Sequence, residues 1–209
     1  MSNFKRLGLL SALCIAASAS VLSGCATSQS SYRDTGATRA QSDSQARPQT
    51  YTQEEIIEAT SDFFGVTAEA AASALERIFA DNGRPVGYIT GSEIAGAAGI
   101  GLRLGEGDLH MKSQSGAEKI YWQGPSLGFD AGGNASRVFT LVYGARSTDE
   151  LYQRFPGVEG TAYFVAGLGV NYQAKDHITL APIRSGVGLR AGANMGYLSY
   201  TESRSWLPF

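Results

Sequence analysis

The sequence predicts a mainly β domain with N-terminal helices, a small closed or nearly closed soluble antiparallel β-barrel. Three observations lead there. Helix start and stop signals concentrate in residues 52–85. From Val86 onward, most of the chain's 26 glycines lie among Tyr, Phe, Val and Leu in short runs bounded by turn residues. A seven-residue pattern, GIGLRLG at 99–105, also returns as GVGLRAG at 186–192. Glycine at alternate positions of an extended strand marks close backbone approach or tight bending, which a small barrel needs to curl shut.

The elements follow in chain order. Lys5 and Arg6 precede a mostly apolar run from Leu7 to Leu22. A basic start and an apolar stretch too short to span a bilayer stably describe a secretory signal. The run ends Leu22-Ser23-Gly24-Cys25, which resembles the bacterial lipobox, whose cysteine is lipidated and becomes the new N-terminus. Residues 1–24 are then a lipoprotein signal peptide and Cys25 is the lipidation site. Ala26 rather than Asp follows the cysteine, which in that family implies sorting to the outer membrane. The expected location is the periplasm, anchored to the inner leaflet of the outer membrane, with that membrane as partner through the lipid on Cys25. The other cysteine, Cys14, leaves with the signal. The mature chain then has no thiol for a disulfide, a metal or catalysis.

Without Lys5 and Arg6, 15 basic residues face 19 acidic ones, a formal charge of −4. That balance gives no footprint for nucleic acid. Residues 26–50 hold one aromatic, Tyr32, and no Val, Ile, Leu, Met or Phe. Such a segment cannot bury enough apolar surface to order itself. Residues 25–50 are therefore read as a lipidated flexible tether with a reach of about 25–30 Å.

Residues 51–85 predict two helices packing on the barrel. Thr52 followed by Glu55 is a capping-box pattern, with Ile56, Ala59, Phe63 and Phe64 at helical spacing until Gly65. Thr67 can cap a second run in which Ala70, Ala71, Ala74, Leu75, Ile78 and Phe79 form one apolar face. Asn82-Gly83 and Pro85 stop it. Residues 86–209 predict the barrel, with strands in GYIT, KIYWQG, RVFTLVYG, TAYFVAGLGVNYQ, HITLAPI and GVGLRAGANMGYLSY. One interruption, STDELYQRF at 147–155, begins with a Ser-Thr-Asp cap and predicts a helix of about two turns.

Strand alternation places Gly99, Gly101, Arg103 and Gly105 on one face of the first repeat. It does the same for Gly186, Gly188, Arg190 and Gly192 in the second, with Asn194 continuing the stripe. Barrel curvature, or an Ala-rich helix laid across the glycines, explains the stripe structurally. A groove in which a lipid tail or peptide meets bare backbone explains it functionally. Arg103 and Arg190 stand at matching places, where a guanidinium can reach a carboxylate or phosphate. A salt bridge with Glu93 or Asp130 is the structural reading, and an anionic ligand or lipid headgroup the functional one. These residues are the candidate ligand or lipid contacts.

Other chemistry is thinner. GPSLG at 124–128 matches the nucleophile-elbow pattern around Ser126, with Asp149 or Asp176 and then His177 downstream. An elbow needs a helix directly after the serine, and FDAGGNAS reads as a strand end and turn. Glu106, Asp108 and His110 alternate in GEGDLH, but a Gly-Glu-Gly-Asp turn accounts for the carboxylates. The glycine-rich runs open no helix after a strand, so they make no phosphate loop. No catalytic residue, cofactor or metal is expected.

YTQEEIIEA, GRPVGYITGSE, IYWQGPSLGFD, LYQRFPGVEGTAYFVAGLGVNY and ITLAPIRSGVGLRAGANMGYLSYT together cover nearly all of Tyr51–Phe209. This stretch resembles the envelope integrity protein A family of proteobacterial envelope proteins. The resemblance implies a small soluble β-barrel with a helical N-terminal segment and a role in keeping the cell envelope intact under stress. It implies no catalytic residue. That family is described as soluble and periplasmic, so the anchor expected at Cys25 is a departure. A looser likeness links Trp122–Tyr200 to the SYLF lipid-binding domains, through Trp-x-x-Pro at Trp122–Pro125 and the glycine-rich strand. It implies lipid contact on the Gly/Arg face. The expected function is non-enzymatic support of envelope integrity through an envelope component as partner. The alternatives are a SYLF-type lipid-binding module and, more remotely, a serine hydrolase at Ser126.

Overall fold

The computed structural model describes residues 49–96, 99–128, 134–185 and 196–204, and the side chains of 96, 99–101, 126–128 and 134 fall outside that description. Helix α1 spans Gln53–Phe64. The Thr52 hydroxyl accepts from the Glu55 N–H at 3.3 Å while the Glu55 carboxylate accepts from the Thr52 N–H at 2.8 Å, so two otherwise orphaned donors are satisfied. Gly65, at φ 69°, ends the helix in the left-handed conformation that glycine adopts without strain. Helix α2 spans Ala68–Asn82 and is capped by Thr67. Replacing Thr52 with alanine is expected to cost about 1 kcal/mol, read as a lower midpoint in thermal denaturation.

Ten strands among the described residues form one antiparallel sheet. They are β1 Gly87–Gly96, β2 Gly99–Met111, β3 Glu118–Gly128, β4 Asn134–Tyr143, β5 Arg154–Pro156, β6 Tyr163–Val165, β7 Leu168–Val170, β8 Gln173–Lys175, β9 Ile178–Ser185 and β10 Tyr197–Thr201. The spatial order is β5-β10-β3-β2-β1-β4-β9-β7-β6, with β8 pairing separately on β9.

Strand alternation sorts the side chains into two cores. Val138 and Val142 of β4, Ile178 and Leu180 of β9, Ile89, Leu109, Ile120, Trp122, Phe155, Leu198 and Tyr200 form the core inside the curled sheet. Phe139, Leu141 and Tyr143 of β4 and Ala181 and Ile183 of β9 form the second core, with Ile56 of α1 and Ala74, Leu75, Ile78 and Phe79 of α2. The helices thus cover the outer face of the sheet.

Three expectations are corrected. The sheet is an open, curled half-barrel and not a closed one. β5 and β8 meet through one isolated bridge, Gly157↔Gln173, beside a hydrogen bond from the Val158 N–H to the Tyr172 carbonyl, and no ladder seals the seam among the described residues. Residues 147–155 make a single 3₁₀ turn at Thr148–Leu151, because Phe155 and its neighbours are drawn into β5 by pairing with β10. Glu106–Asp108 is no turn: β2 runs straight through it, in register with both β1 and β3.

Candidate functional site

The inner face of the half-barrel is apolar along most of its length and becomes ionic towards one end. β1 contributes Glu93, β2 Arg103, β3 Trp122 and β9 Arg184. Register and alternation turn all four inward: Glu93 lies opposite Gly105, Gly105 opposite Trp122, and Val138 of the inner core opposite Arg184.

Glu93 is 3% exposed. One of its carboxylate oxygens, Oε1, accepts from Arg184 Nε at 3.1 Å. The other, Oε2, accepts from Trp122 Nε1 at 2.9 Å and from Arg184 Nη2 at 3.5 Å. Arg184 also donates through Nη1 to Asn171 Oδ1 at 2.6 Å. Arg103 reaches the same carboxylate, with Nε 3.2 Å from Oε1. Its N–H does not point at that oxygen, and Nε is buried without a hydrogen-bond partner. Among the described residues, two guanidiniums therefore share one carboxylate, and these three side chains carry a formal charge of +1.

The electrostatics follow from that count. Burial, the strongest single influence, pushes the Glu93 carboxyl up. The charges of Arg184 and then Arg103, with the hydrogen bonds from Arg184 and Trp122, outweigh it and hold the group below its ordinary value. Burial pulls the Arg103 guanidinium down from its ordinary value, and Glu93 offsets only part of that. Tyr200 lies beside the cluster, its phenol pushed up by burial, and donates to Gln173 Oε1 at 3.4 Å.

The glycines frame the tryptophan. A Cβ at Gly105 would fall 2.0 Å from Trp122 Cε2, and one at Gly91 would fall 2.8 Å from Cη2 and 2.3 Å from the Glu106 carbonyl oxygen. The indole lies directly on bare backbone. At Gly105, where barrel curvature, an overlying helix or a groove were the readings of the stripe, the Trp122 indole covers the glycine.

The other candidates lie in several places. Arg103 makes the expected ion pair with Glu93. Arg190, Gly186, Gly188, Gly192 and Asn194 lie outside the described residues. So does Asp130, while Gly99 and Gly101 are described only as backbone of β2. Ser126 sits within β3 opposite Gly101, not at a strand-to-helix turn. His177 Nε2 is 3.5 Å from Glu150 Oε2, next to the turn whose Thr148 donates to Glu118 at the other end of β3. Eight strand residues separate Glu118 from Ser126, roughly 26 Å along β3. Of the GEGDLH set, Glu106 pairs with Arg204, Asp108 with Lys119 at 3.1 Å, and His110 stacks on Tyr88. No group of three metal-ligating side chains occurs among the described residues.

Sequence reading missed Arg184, Trp122 and Asn171 as site residues. A signal existed for Arg184: it continues the alternation Ile178, Leu180, Pro182, but the strand was read as ending at Ile183.

The envelope integrity protein A family profile matches residues 49–209, which hold the helices, the half-barrel and the ionic cluster. The chain belongs to the envelope integrity protein A family. The crystal structure of a beta-barrel-like, uncharacterized protein from Brucella abortus is similar to it at 48% identity, covering 77% of this chain and 99% of that one, with a TM-score of 0.68. No curated protein matches the chain. Membership of the envelope integrity protein A family implies a role in envelope integrity and a place in the cell envelope.

Proposed function

We propose that this protein is a non-enzymatic periplasmic lipoprotein, tethered to the inner leaflet of the outer membrane through Cys25. In this reading it supports envelope integrity and stress resistance by holding an envelope component on its half-barrel. Family membership across 49–209 is the observation that carries the envelope role. The anchor is supported by the basic start, the apolar run and Leu22-Ser23-Gly24-Cys25.

A SYLF-type lipid-binding module is the second reading, on the Gly/Arg face. It retains Arg103 and loses Gly105, which Trp122 already covers. The serine-hydrolase reading has against it that Ser126 belongs to β3, paired with Gly101, and does not open a helix.

Fractionation of cells carrying Cys25→Ser tests the anchor. The wild-type chain is expected with the outer membrane and the variant in the soluble periplasm. A variant that stays in the outer-membrane fraction refutes the anchor. In the same cells, failure of the wild-type chain to restore detergent resistance to a deletion strain refutes the envelope role.

A further inference from the structure

The ionic cluster inside the half-barrel is unbalanced in a way that a purely structural ion pair would not need. Arg184 and Trp122 together deliver three hydrogen bonds to the Glu93 carboxylate. Arg184 also donates through Nη1 to Asn171 Oδ1. A neutral, satisfied pair is complete at that point. Arg103 adds a second cation to it, with a side chain only 15% exposed, and makes no hydrogen bond to any described residue. Keeping an extra guanidinium largely away from water, with only a carboxylate already shared by Arg184 beside it, is costly. Its planar fork is suited to gripping a carboxylate or phosphate through two parallel hydrogen bonds.

We propose that Arg103, backed by Arg184, is the binding residue for an oxyanion, a carboxylate or phosphate group carried by an envelope component that docks at this end of the half-barrel. Glu93 is a positioning residue: it holds the two guanidiniums side by side at one end of the inner face. Trp122, fixed on Gly105 and Gly91, orients Glu93 through its indole N–H. The anion completes the charge balance, bringing the cluster from +1 to neutral with a monoanion. This rests on the proposed binding role and adds to it the chemistry of the ligand.

Thermal denaturation of the full-length chain in non-ionic detergent, at constant ionic strength, tests the site. The soluble probes are inorganic phosphate, acetate and a short-chain phosphatidylglycerol, against chloride and the matching phosphatidylcholine. A ligand that binds only the folded state raises the midpoint saturably. The wild-type chain is expected to respond to phosphate or acetate over chloride. A response confined to phosphatidylglycerol identifies a lipid headgroup as the source and equally supports the site. Arg103→Gln is expected to weaken the response roughly 10- to 100-fold, and Arg103→Lys to keep part of it.

In chloride, Arg103→Gln is expected to melt no lower than wild type, because Glu93 keeps Arg184 and Trp122. A large drop makes Arg103 a structural counter-ion of Glu93 and overturns the proposal. So does a wild-type chain indifferent to every oxyanion, or an Arg103→Gln chain that responds like wild type. A chain that restores a deletion strain yet binds no oxyanion keeps the envelope role and removes this site. An oxyanion response in a chain whose deletion leaves the envelope unharmed does the reverse.

Discussion

Replacing Glu93 with alanine is expected to cost about 3–5 kcal/mol, the loss that follows when one side of a buried ion pair is removed and the other is left uncompensated. Here the residue left behind is not one cation but two, Arg103 and Arg184, together with an indole N–H that loses its acceptor. Urea denaturation at neutral pH measures the loss. Glu93→Gln is expected to fall between, since an amide oxygen still accepts from Trp122 but neutralises neither guanidinium. The pH dependence has a definite sign. The folded-state pKa of Glu93 lies below its ordinary value, so between the two values the unfolded chain binds more protons than the folded one. The stabilisation is therefore complete above the ordinary carboxylate value near 4.5 and is lost as pH falls through the lower folded value. The gap between wild type and Glu93→Ala should narrow accordingly when the denaturation is repeated near pH 3, and a gap independent of pH would contradict the ionic account.

Gly105→Ala is expected to cost about 2–3 kcal/mol although it adds a single methyl group. The methyl would sit 2.0 Å from Trp122 Cε2 and 2.2 Å from Nε1, so the indole must leave its seat. Leaving it breaks the hydrogen bond to Glu93 and disturbs the ring pair with Tyr200, whose centroids are 6.1 Å apart. A double-mutant cycle isolates the effect: with Trp122→Leu already in place, Gly105→Ala should cost much less than it does alone. Additive losses would show that the glycine serves backbone curvature and not the tryptophan.

How much of this was legible in the sequence depends on the range of the interactions involved. The two helices were readable because their signals are local. Thr52, Glu55 and Gly65 each act within one turn, and the structure uses all three as the pattern predicts. Sheet closure was not readable from glycine content, since glycine permits bending while closure needs a partner strand in register, and β5 and β8 share only one bridge. The GEGD stretch has the composition of a turn, yet Gly107 is in the strand because the Thr90 carbonyl oxygen would lie 2.4 Å from a Cβ there. The two carboxylates flanking that glycine find their own cations on the outer face. In the site, Arg103 was legible from the repeated motif, and Glu93 was one of the two carboxylates offered as its partner. Asn171 was not, because it reaches the cluster from the link between β7 and β8, far along the chain, and Arg184 lies one residue past the predicted end of its strand.

β4 contributes Val138 and Val142 to one core and Phe139, Leu141 and Tyr143 to the other, and β9 divides its residues in the same way. Two strands thus belong to both layers at once, so the helices are not a detachable cover over an independent sheet. Losing α1 and α2 would strip one side from the same strands that wall the ionic interior. The capping box at Thr52 and the buried carboxylate at Glu93, far apart in the chain, are thereby parts of one packed unit, and their losses are expected in the same unfolding transition.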